Sequence, residues 1–182
     1  MTERWPGVRL FIFDADHTLR HTPVPGRVCP LAPGEWALLP GVRETLRRID
    51  WGPDGARLGV ASNQDSVGYG HLSADAARDL LADAVRAAVG EIDPPPCLRF
   101  CPHVLEMPCG CRKPAPGLLL DILRHFALPP DAALFVGDGE TDRRAADAAG
   151  IAFAWAWDFF GWPGHPAGWL PPPSHRSASP PG

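Results

Sequence analysis

Hydrophobic and polar positions follow each other along this chain in blocks that predict strands and helices in alternation. Short, nearly continuous apolar runs are typical of parallel strands that are covered on both faces. Five such runs predict strands: Val8–Phe13, RLGVASN with its end near Ala61, CLRFC, ALFVG and IAFAWAW.

The segments between these runs carry helical patterns. Ser73 can cap a helix whose apolar face is closed by Gly90 and consists of Ala77, Leu80, Leu81, Ala84, Val85 and Ala88. Further helices are predicted over Gly41–Asp50, after Pro116 and in DRRAADAAG before Gly150. Strands that alternate with helices predict an α/β fold, a Rossmann-like three-layer sandwich around a mostly parallel sheet.

Composition narrows the class of protein. The chain has 182 residues, 45% of them hydrophobic and 21% charged, which suits one globular domain, and its net charge of −4 disfavours a nucleic-acid binder. No apolar run is long enough to span a bilayer and the N-terminus lacks a signal-peptide pattern, so we expect no membrane partner and a cytoplasmic location. We expect a folded domain over residues 1–165 and a disordered Pro- and Ser-rich tail over residues 171–182.

Polar side chains gather where the predicted strands end. They are Asp14 and Asp16 after the first strand, Ser62 and Asn63 after the second, Lys113 beyond the third, and Asp138 and Asp142 after the fourth. Loops after strands are often polar, which would explain any one of these segments. Four segments that converge on the carboxyl edge of a parallel sheet instead indicate a ligand site.

The residue types in this set indicate phosphoryl transfer with magnesium. Crowded carboxylates repel one another without a cation, and hard oxygen ligands suit Mg²⁺. A carboxylate can attack phosphorus, and a second one two residues further on can transfer a proton to the leaving oxygen and from the attacking water. Ser62 and Lys113 can stabilise the charge on the transferred group.

A second cluster of residues predicts a zinc site. Cys101 and His103 form a C-x-H pair, and Cys109 and Cys111 form a C-x-C pair five residues further on. Three thiolates and one imidazole suit structural Zn²⁺ with no open position, whereas the spacing differs from redox C-x-x-C. Zinc in this loop would fix the direction of Arg112, which can bind phosphate, and of Lys113.

Several motifs together resemble the haloacid dehalogenase superfamily of phosphatases. FDADHTL resembles its DxDxT signature, and Ser62, Lys113 before PxP, and GDGETD resemble its other three motifs in order, over about Val8–Ala156. The resemblance implies that Asp14 is the nucleophile, Asp16 the general acid and base, and Lys113 the charge stabiliser. It also implies that Ser62, Thr18, Asn63 and Arg112 contact the substrate or its phosphate. Asp14, Asp16 (through its carbonyl) and Asp138 would hold magnesium, with Asp142 in support.

The zinc loop narrows this resemblance to a branch with a minimal cap. C-x-H…C-x-C-R-K-P is similar to histidinol-phosphate phosphatases and D-glycero-D-manno-heptose-bisphosphate phosphatases, and the short gap between the two pairs favours the histidinol branch. One position departs from the family pattern, because His17 stands where glycine is usual. Its side chain either points into the site or faces solvent.

The expected function is a magnesium-dependent phosphatase that acts on a small phosphorylated metabolite through an aspartyl-phosphate intermediate. The alternatives are a polynucleotide 3′-phosphatase, which the acidic composition disfavours, and a non-catalytic zinc-stabilised binding module, which the intact carboxylate set disfavours. The aromatic run FAWAWDFFGWPG is expected to cover the core or a sheet edge rather than contact a partner or a substrate. The oligomeric state is not predicted.

Overall fold

The computed structural model describes residues 4–164 of the chain. The strands are β1 (Leu10–Phe13), β2 (Arg20–His21), β3 (Ala37–Leu38), β4 (Arg57–Asn63), β5 (Cys97–Cys101), β6 (Ala133–Gly137) and β7 (Ala152–Trp155). Five of them form a parallel sheet in the order β5-β4-β1-β6-β7. The central position of β1 brings the residues that follow it between the ends of β4 and β6.

The helices are α1 (Val42–Leu46), α2 (Asp65–Gly68), α3 (Ala74–Val89), α4 (Gly117–Phe126), α5 (Glu140–Ala149) and α6 (Ala156–Phe160). The predicted cap of α3 is confirmed, because the Ser73 hydroxyl accepts a hydrogen bond of 3.1 Å from the Ala76 N–H. Gly90 and Gly150 end α3 and α5 with positive φ angles of 82° and 70°, a conformation that glycine adopts without strain.

The two faces of the sheet carry separate hydrophobic layers. Phe11 and Phe13 of β1 pack with buried residues of α1, α3 and α6. Leu10 and Ile12 point to the other face and pack with buried residues of α4 and α5. The alternation follows from the two-residue period of a strand. The predicted three-layer α/β sandwich is confirmed.

The expected minimal cap is also present. Between β1 and α1 the chain folds into a small flap, in which β2 and β3 pair antiparallel with Arg20 opposite Leu38 and His21 opposite Ala37. This flap lies next to the carboxyl edge of the sheet, since it begins directly after Asp14. Two of its residues, Val28 and Cys29, line the cleft at that edge.

Some predicted boundaries are wrong. The first strand begins at Leu10 rather than Val8, the first helix covers only Val42–Leu46, and the last strand ends at Trp155. The aromatic run continues as α6 because a helix turns both Phe159 and Phe160 toward the core, where Phe159 lies 5.6 Å from Phe13 between ring centroids. The predicted core role is confirmed for these two residues.

The predicted tail over residues 171–182 lies outside the described residues. Within residues 4–164, no helix has both the length and the apolar character that crossing a membrane requires.

Candidate functional site

A cleft of about 260 Å³ opens at the carboxyl edge of the parallel sheet. The predicted site residues that line it are Asp14, Asp16, Ser62, Asn63, Lys113, Asp138 and Asp142. Two others do not line it. Thr18 is fully buried and its hydroxyl donates to Asp138 Oδ1 at 3.4 Å, and Arg112 donates to the His103 carbonyl in the loop of the Cys/His cluster. The fold thus brings together the segments that the sequence places far apart.

Lys113 is the cationic centre of this cleft. Its Nζ lies 2.5 Å from Asp14 Oδ1, 2.7 Å from Asp142 Oδ1 and 2.8 Å from the Ala61 carbonyl oxygen. Burial by itself lowers the pKa of Lys113, but Asp14 and Asp142 outweigh that effect and raise the pKa above its ordinary value. The ammonium therefore stays charged at neutral pH and binds the two carboxylates to each other.

Asn63 fixes the backbone from which Lys113 projects. Its side-chain Oδ1 accepts the Lys113 N–H at 3.0 Å, and its Nδ2 donates to the Lys113 carbonyl at 3.2 Å. This reciprocal pair joins the end of β4 to the loop after the Cys/His cluster. Asn63 therefore has a positioning contact that the sequence did not suggest, in addition to its place in the wall of the cleft.

Three carboxylates crowd around one point next to Lys113. Ligand oxygens of Asp14, Asp138 and Asp142 all lie within 4.8 Å of one another. Burial raises the pKa of Asp14 well above its usual range and Asp142 and Asp138 add to this, while Lys113 opposes it. Among the described residues that line the cleft, Lys113 is the only ammonium. A divalent cation with oxygen ligands fits this excess of negative charge.

Asp142 reaches the cleft because glycine stands at position 137. A Cβ atom at Gly137 would lie 2.5 Å from Asp142 Cβ, which is too close for any side chain there. The other carboxylate oxygen, Oδ2, accepts the Gly139 N–H at 2.9 Å and so caps α5. The sequence GDGETD thus places one carboxylate both at a helix N-terminus and against Lys113.

Asp16 is held by two donors that sequence reasoning did not assign. Fully buried Arg20 donates to it through Nε at 2.9 Å and Nη2 at 3.5 Å, and Gln64 donates through Nε2 at 2.8 Å. Gln64 also donates to Ser62 Oγ at 2.9 Å, and Arg20 Nη1 donates to the Leu80 carbonyl at 2.7 Å. A buried arginine requires a carboxylate partner. The position of Arg20 four residues after Asp16 was the only sequence signal for this pair.

His17 occupies the left-handed region of backbone conformation, with φ of 67°. For a residue with a Cβ this conformation costs roughly 1–2 kcal/mol, which explains why glycine is usual here. The turn is closed by the His17 N–H, which donates to the Arg20 carbonyl at 2.7 Å. The side chain lines the cleft, so the first of the two predicted orientations is the correct one.

The second predicted cluster is also assembled. The ligand atoms of Cys101, His103, Cys109 and Cys111 lie within 4.8 Å of one another. Two sulfur pairs are 3.5 and 3.7 Å apart, and His103 Nδ1 lies 3.3 and 3.4 Å from two sulfurs. Sulfurs at about 2.3 Å from zinc form tetrahedron edges of about 3.8 Å, so the spacing suits one tetrahedral ion.

The thiols of this cluster differ in acidity. Burial opposes ionisation of Cys109, but the backbone N–H groups of Arg112 and Cys111 donate to its sulfur and lower its pKa to about 6. Burial and the neighbouring thiols raise the pKa of Cys111 to about 12, and burial raises that of Cys101. Cys109 is thus mainly a thiolate at neutral pH, whereas a metal ion must displace protons from the other two.

Arg112 connects the loop of the Cys/His cluster to the cleft. Its guanidinium donates through Nη1 to the His103 carbonyl at 3.2 Å and through Nη2 to Asp65 Oδ2 at 3.3 Å. Asp65 in turn lines the cleft. Arg112 thus joins the loop of the Cys/His cluster to a residue of the cleft wall, one position before Lys113.

Parallel α/β architecture, a small flap and converging aspartates are typical of the haloacid dehalogenase type of protein. The profile of the haloacid dehalogenase-like hydrolase family matches residues 23–150, and the chain belongs to this family.

Similar proteins of known name point to one branch. The chain is 31% identical over 119 residues to the D-glycero-β-D-manno-heptose-1,7-bisphosphate 7-phosphatase of Pseudomonas putida, covering 64% of this chain and 65% of that protein. It is 36% identical over 122 residues to the corresponding α-anomer phosphatase of Mycobacterium tuberculosis, covering 62% of this chain and 57% of that protein. The matches thus span 57–65% of the length of these two relatives.

Solved structures agree with this fold. The D,D-heptose 1,7-bisphosphate phosphatase of Bordetella bronchiseptica, crystallised with magnesium and phosphate, superposes with a TM-score of 0.65 at 28% identity, covering 80% of this chain and 79% of that one. A haloacid dehalogenase-like phosphatase from Mesorhizobium loti shares the fold, with a TM-score of 0.56 at 24% identity.

Proposed function

We propose that this chain is a magnesium-dependent phosphatase, a phosphoric monoester hydrolase acting on a small phosphorylated metabolite of the sugar phosphate type. One observation carries the proposal: Asp14, Asp138, Asp142 and Lys113 meet at the carboxyl edge of the sheet, with the lysine ammonium 2.5 Å from Asp14. A binding module without catalysis would have no need for three carboxylates gathered around one buried lysine.

In the first step a carboxylate oxygen of Asp14 attacks phosphorus. Lys113 contacts Oδ1 of Asp14, which leaves Oδ2 as the attacking atom. The bond between phosphorus and the ester oxygen breaks, and Asp16 in its protonated form gives its proton to that oxygen as the alcohol departs. Lys113 and the Ser62 hydroxyl stabilise the charge on the phosphoryl oxygens.

In the second step water attacks phosphorus of the aspartyl phosphate. Asp16 takes a proton from that water, the bond to Asp14 breaks, and inorganic phosphate leaves. Asp14, Asp138 and the backbone carbonyl of Asp16 would hold Mg²⁺, with Asp142 beside them. The ion supplies positive charge next to the phosphoryl group and offsets the repulsion among the carboxylates.

Zinc has a structural task in this proposal. Cys101, His103, Cys109 and Cys111 would hold it in a closed tetrahedral site, so no position is left for substrate. The ion would fix a loop of little regular structure and thereby the direction of Arg112 and Lys113. The thiols of this cluster stay reduced only in a reducing compartment. We therefore infer a cytoplasmic location.

The relatives favour a sugar phosphate as substrate. The short gap between the metal-ligand pairs predicted the histidinol branch, but the relatives described above carry heptose-bisphosphate names. None of those names supports the polynucleotide alternative. We therefore place heptose 1,7-bisphosphate first and histidinol phosphate second among candidate substrates. We also propose that the catalytic domain extends over residues 1–165.

Phosphate release tests this function. The purified protein is assayed with heptose 1,7-bisphosphate, histidinol phosphate and a 3′-phosphorylated oligonucleotide, with Mg²⁺ and with a chelator. We expect turnover of the sugar phosphate that needs Mg²⁺ and is abolished by Asp14→Asn. Asp75→Asn on exposed α3 serves as the matched control and should keep full activity. Preference for the oligonucleotide, or activity that survives Asp14→Asn, would contradict the proposal.

A further inference from the structure

His17 carries a side chain that the fold of its turn does not need. The positive φ of 67° is set by backbone hydrogen bonds, from His17 N–H to the Arg20 carbonyl at 2.7 Å and from Leu19 N–H to the Ala15 carbonyl at 2.9 Å. Glycine would adopt this turn without strain. A strained backbone persists only where the surrounding structure holds it in place. A side chain kept at such a position therefore suggests that it has a function there.

The imidazole of His17 reaches the cleft. His17 lines the cleft together with Asp14, Asp16 and Thr141. Its Nδ1 is enclosed by protein and, among the residues that the structure describes, has no hydrogen-bond partner. A ligand in the cleft therefore meets the ring through its other nitrogen, Nε2.

The position of His17 determines which part of a bound substrate its side chain can contact. It directly follows Asp16, which handles the proton of the leaving oxygen in the proposed mechanism, and it lies on the same wall of the cleft. Attack by Asp14 is in line with the departing bond, so groups beside Asp16 face the organic leaving group rather than the phosphoryl oxygens. A neutral imidazole nitrogen donates or accepts one hydrogen bond and so matches a hydroxyl group.

We propose that His17 is a specificity-determining residue of this site, whose imidazole forms a hydrogen bond through Nε2 with a hydroxyl group on the leaving group of a polyol phosphate. This inference rests on the phosphatase function proposed above. According to this inference, the histidine that stands in place of the usual glycine makes the enzyme prefer leaving groups with hydroxyls over plain alkyl leaving groups.

Two variants and two substrates test the proposal. His17→Gly restores the residue usual in the family, and His17→Asn keeps an amide donor and acceptor in a residue that tolerates positive φ. Heptose 1,7-bisphosphate carries hydroxyls next to the ester, and n-butyl phosphate carries none. We expect His17→Gly to lower kcat/KM for the heptose about tenfold and to leave that for butyl phosphate within about twofold, as loss of one hydrogen bond implies.

The remaining outcomes decide between the two proposals. His17→Asn should recover most of the heptose activity, and His17→Gly should melt at or above the wild-type temperature because its backbone strain is relieved. Equal losses on both substrates, or no loss on either, in an active wild-type enzyme would overturn the role of His17 alone. A wild-type protein that hydrolyses neither phosphate with Mg²⁺ would overturn the phosphatase function and this inference with it.

Discussion

The buried pair of Arg20 and Asp16 offers a quantitative test of how the site is held together. Arg20→Met removes a guanidinium that is fully buried and donates to both Asp16 oxygens and to the Leu80 carbonyl. Breaking a buried pair by removing one partner costs about 3–5 kcal/mol. Asp16 keeps its Gln64 hydrogen bond and its side chain is 15% exposed, so the lower end of that range applies.

A loss of about 3 kcal/mol corresponds to a fall in Tm of about 6–12 °C for a domain of this size. The assay is thermal and urea unfolding of wild type, Arg20→Met, Asp16→Asn and the double variant. We expect the double variant to be clearly more stable than the sum of the single losses predicts, by about 1–3 kcal/mol, because the two residues share one interaction. Strictly additive losses, or an Arg20→Met variant that melts with wild type, would refute the reasoning.

Three further predictions concern the rest of the site. Lys113→Met should lower kcat by about 10²–10³ at saturating Mg²⁺, because the donor to the phosphoryl oxygens is lost; unchanged steady-state kinetics would contradict this. Gly137→Ala should displace Asp142, reduce Mg²⁺-dependent activity and destabilise the protein by about 1–3 kcal/mol. The control Gly52→Ala, where a Cβ meets only ordinary contacts, should change neither activity nor stability. Zinc affinity, measured by chelator competition, should rise from pH 6 to pH 8, because the raised pKa of Cys111, about 12, means that binding must displace its proton; an affinity independent of pH would disagree.

The sequence predicted the sheet and the site for the same physical reason. Apolar runs such as LFIF and ALFVG are continuous because helices cover both faces of the sheet, and each run ends at a charged or polar residue. Once the strands are parallel, the residues directly after them share one edge, so Asp14 and Asp138 lie close together. Lys113 comes well beyond the end of β5 and reaches them from the loop before α4. Residue type and spacing alone predicted that Cys101, His103, Cys109 and Cys111 would come together.

The parts that sequence reasoning missed depend on contacts between distant segments. Arg20 looks like an exposed loop residue until β2 places it under α3, and Gln64 looks like an ordinary polar residue beyond β4. The end of β7 was missed because alternating aromatic and small residues fit a strand as well as they fit the start of α6. Only packing of Phe159 against Phe11 and Phe13 decides for the helix.

The central claim is that the Asp14 carboxylate takes up the phosphoryl group covalently beside a divalent cation. Protein mixed with heptose 1,7-bisphosphate and Mg²⁺ is quenched with borohydride, which reduces an acyl phosphate to the alcohol, and is then digested and sequenced by mass spectrometry. We predict homoserine at position 14, dependent on both substrate and Mg²⁺, and unmodified aspartate at position 75. Substrate hydrolysis at full rate with position 14 never reduced, or reduction at another carboxylate, would contradict the account.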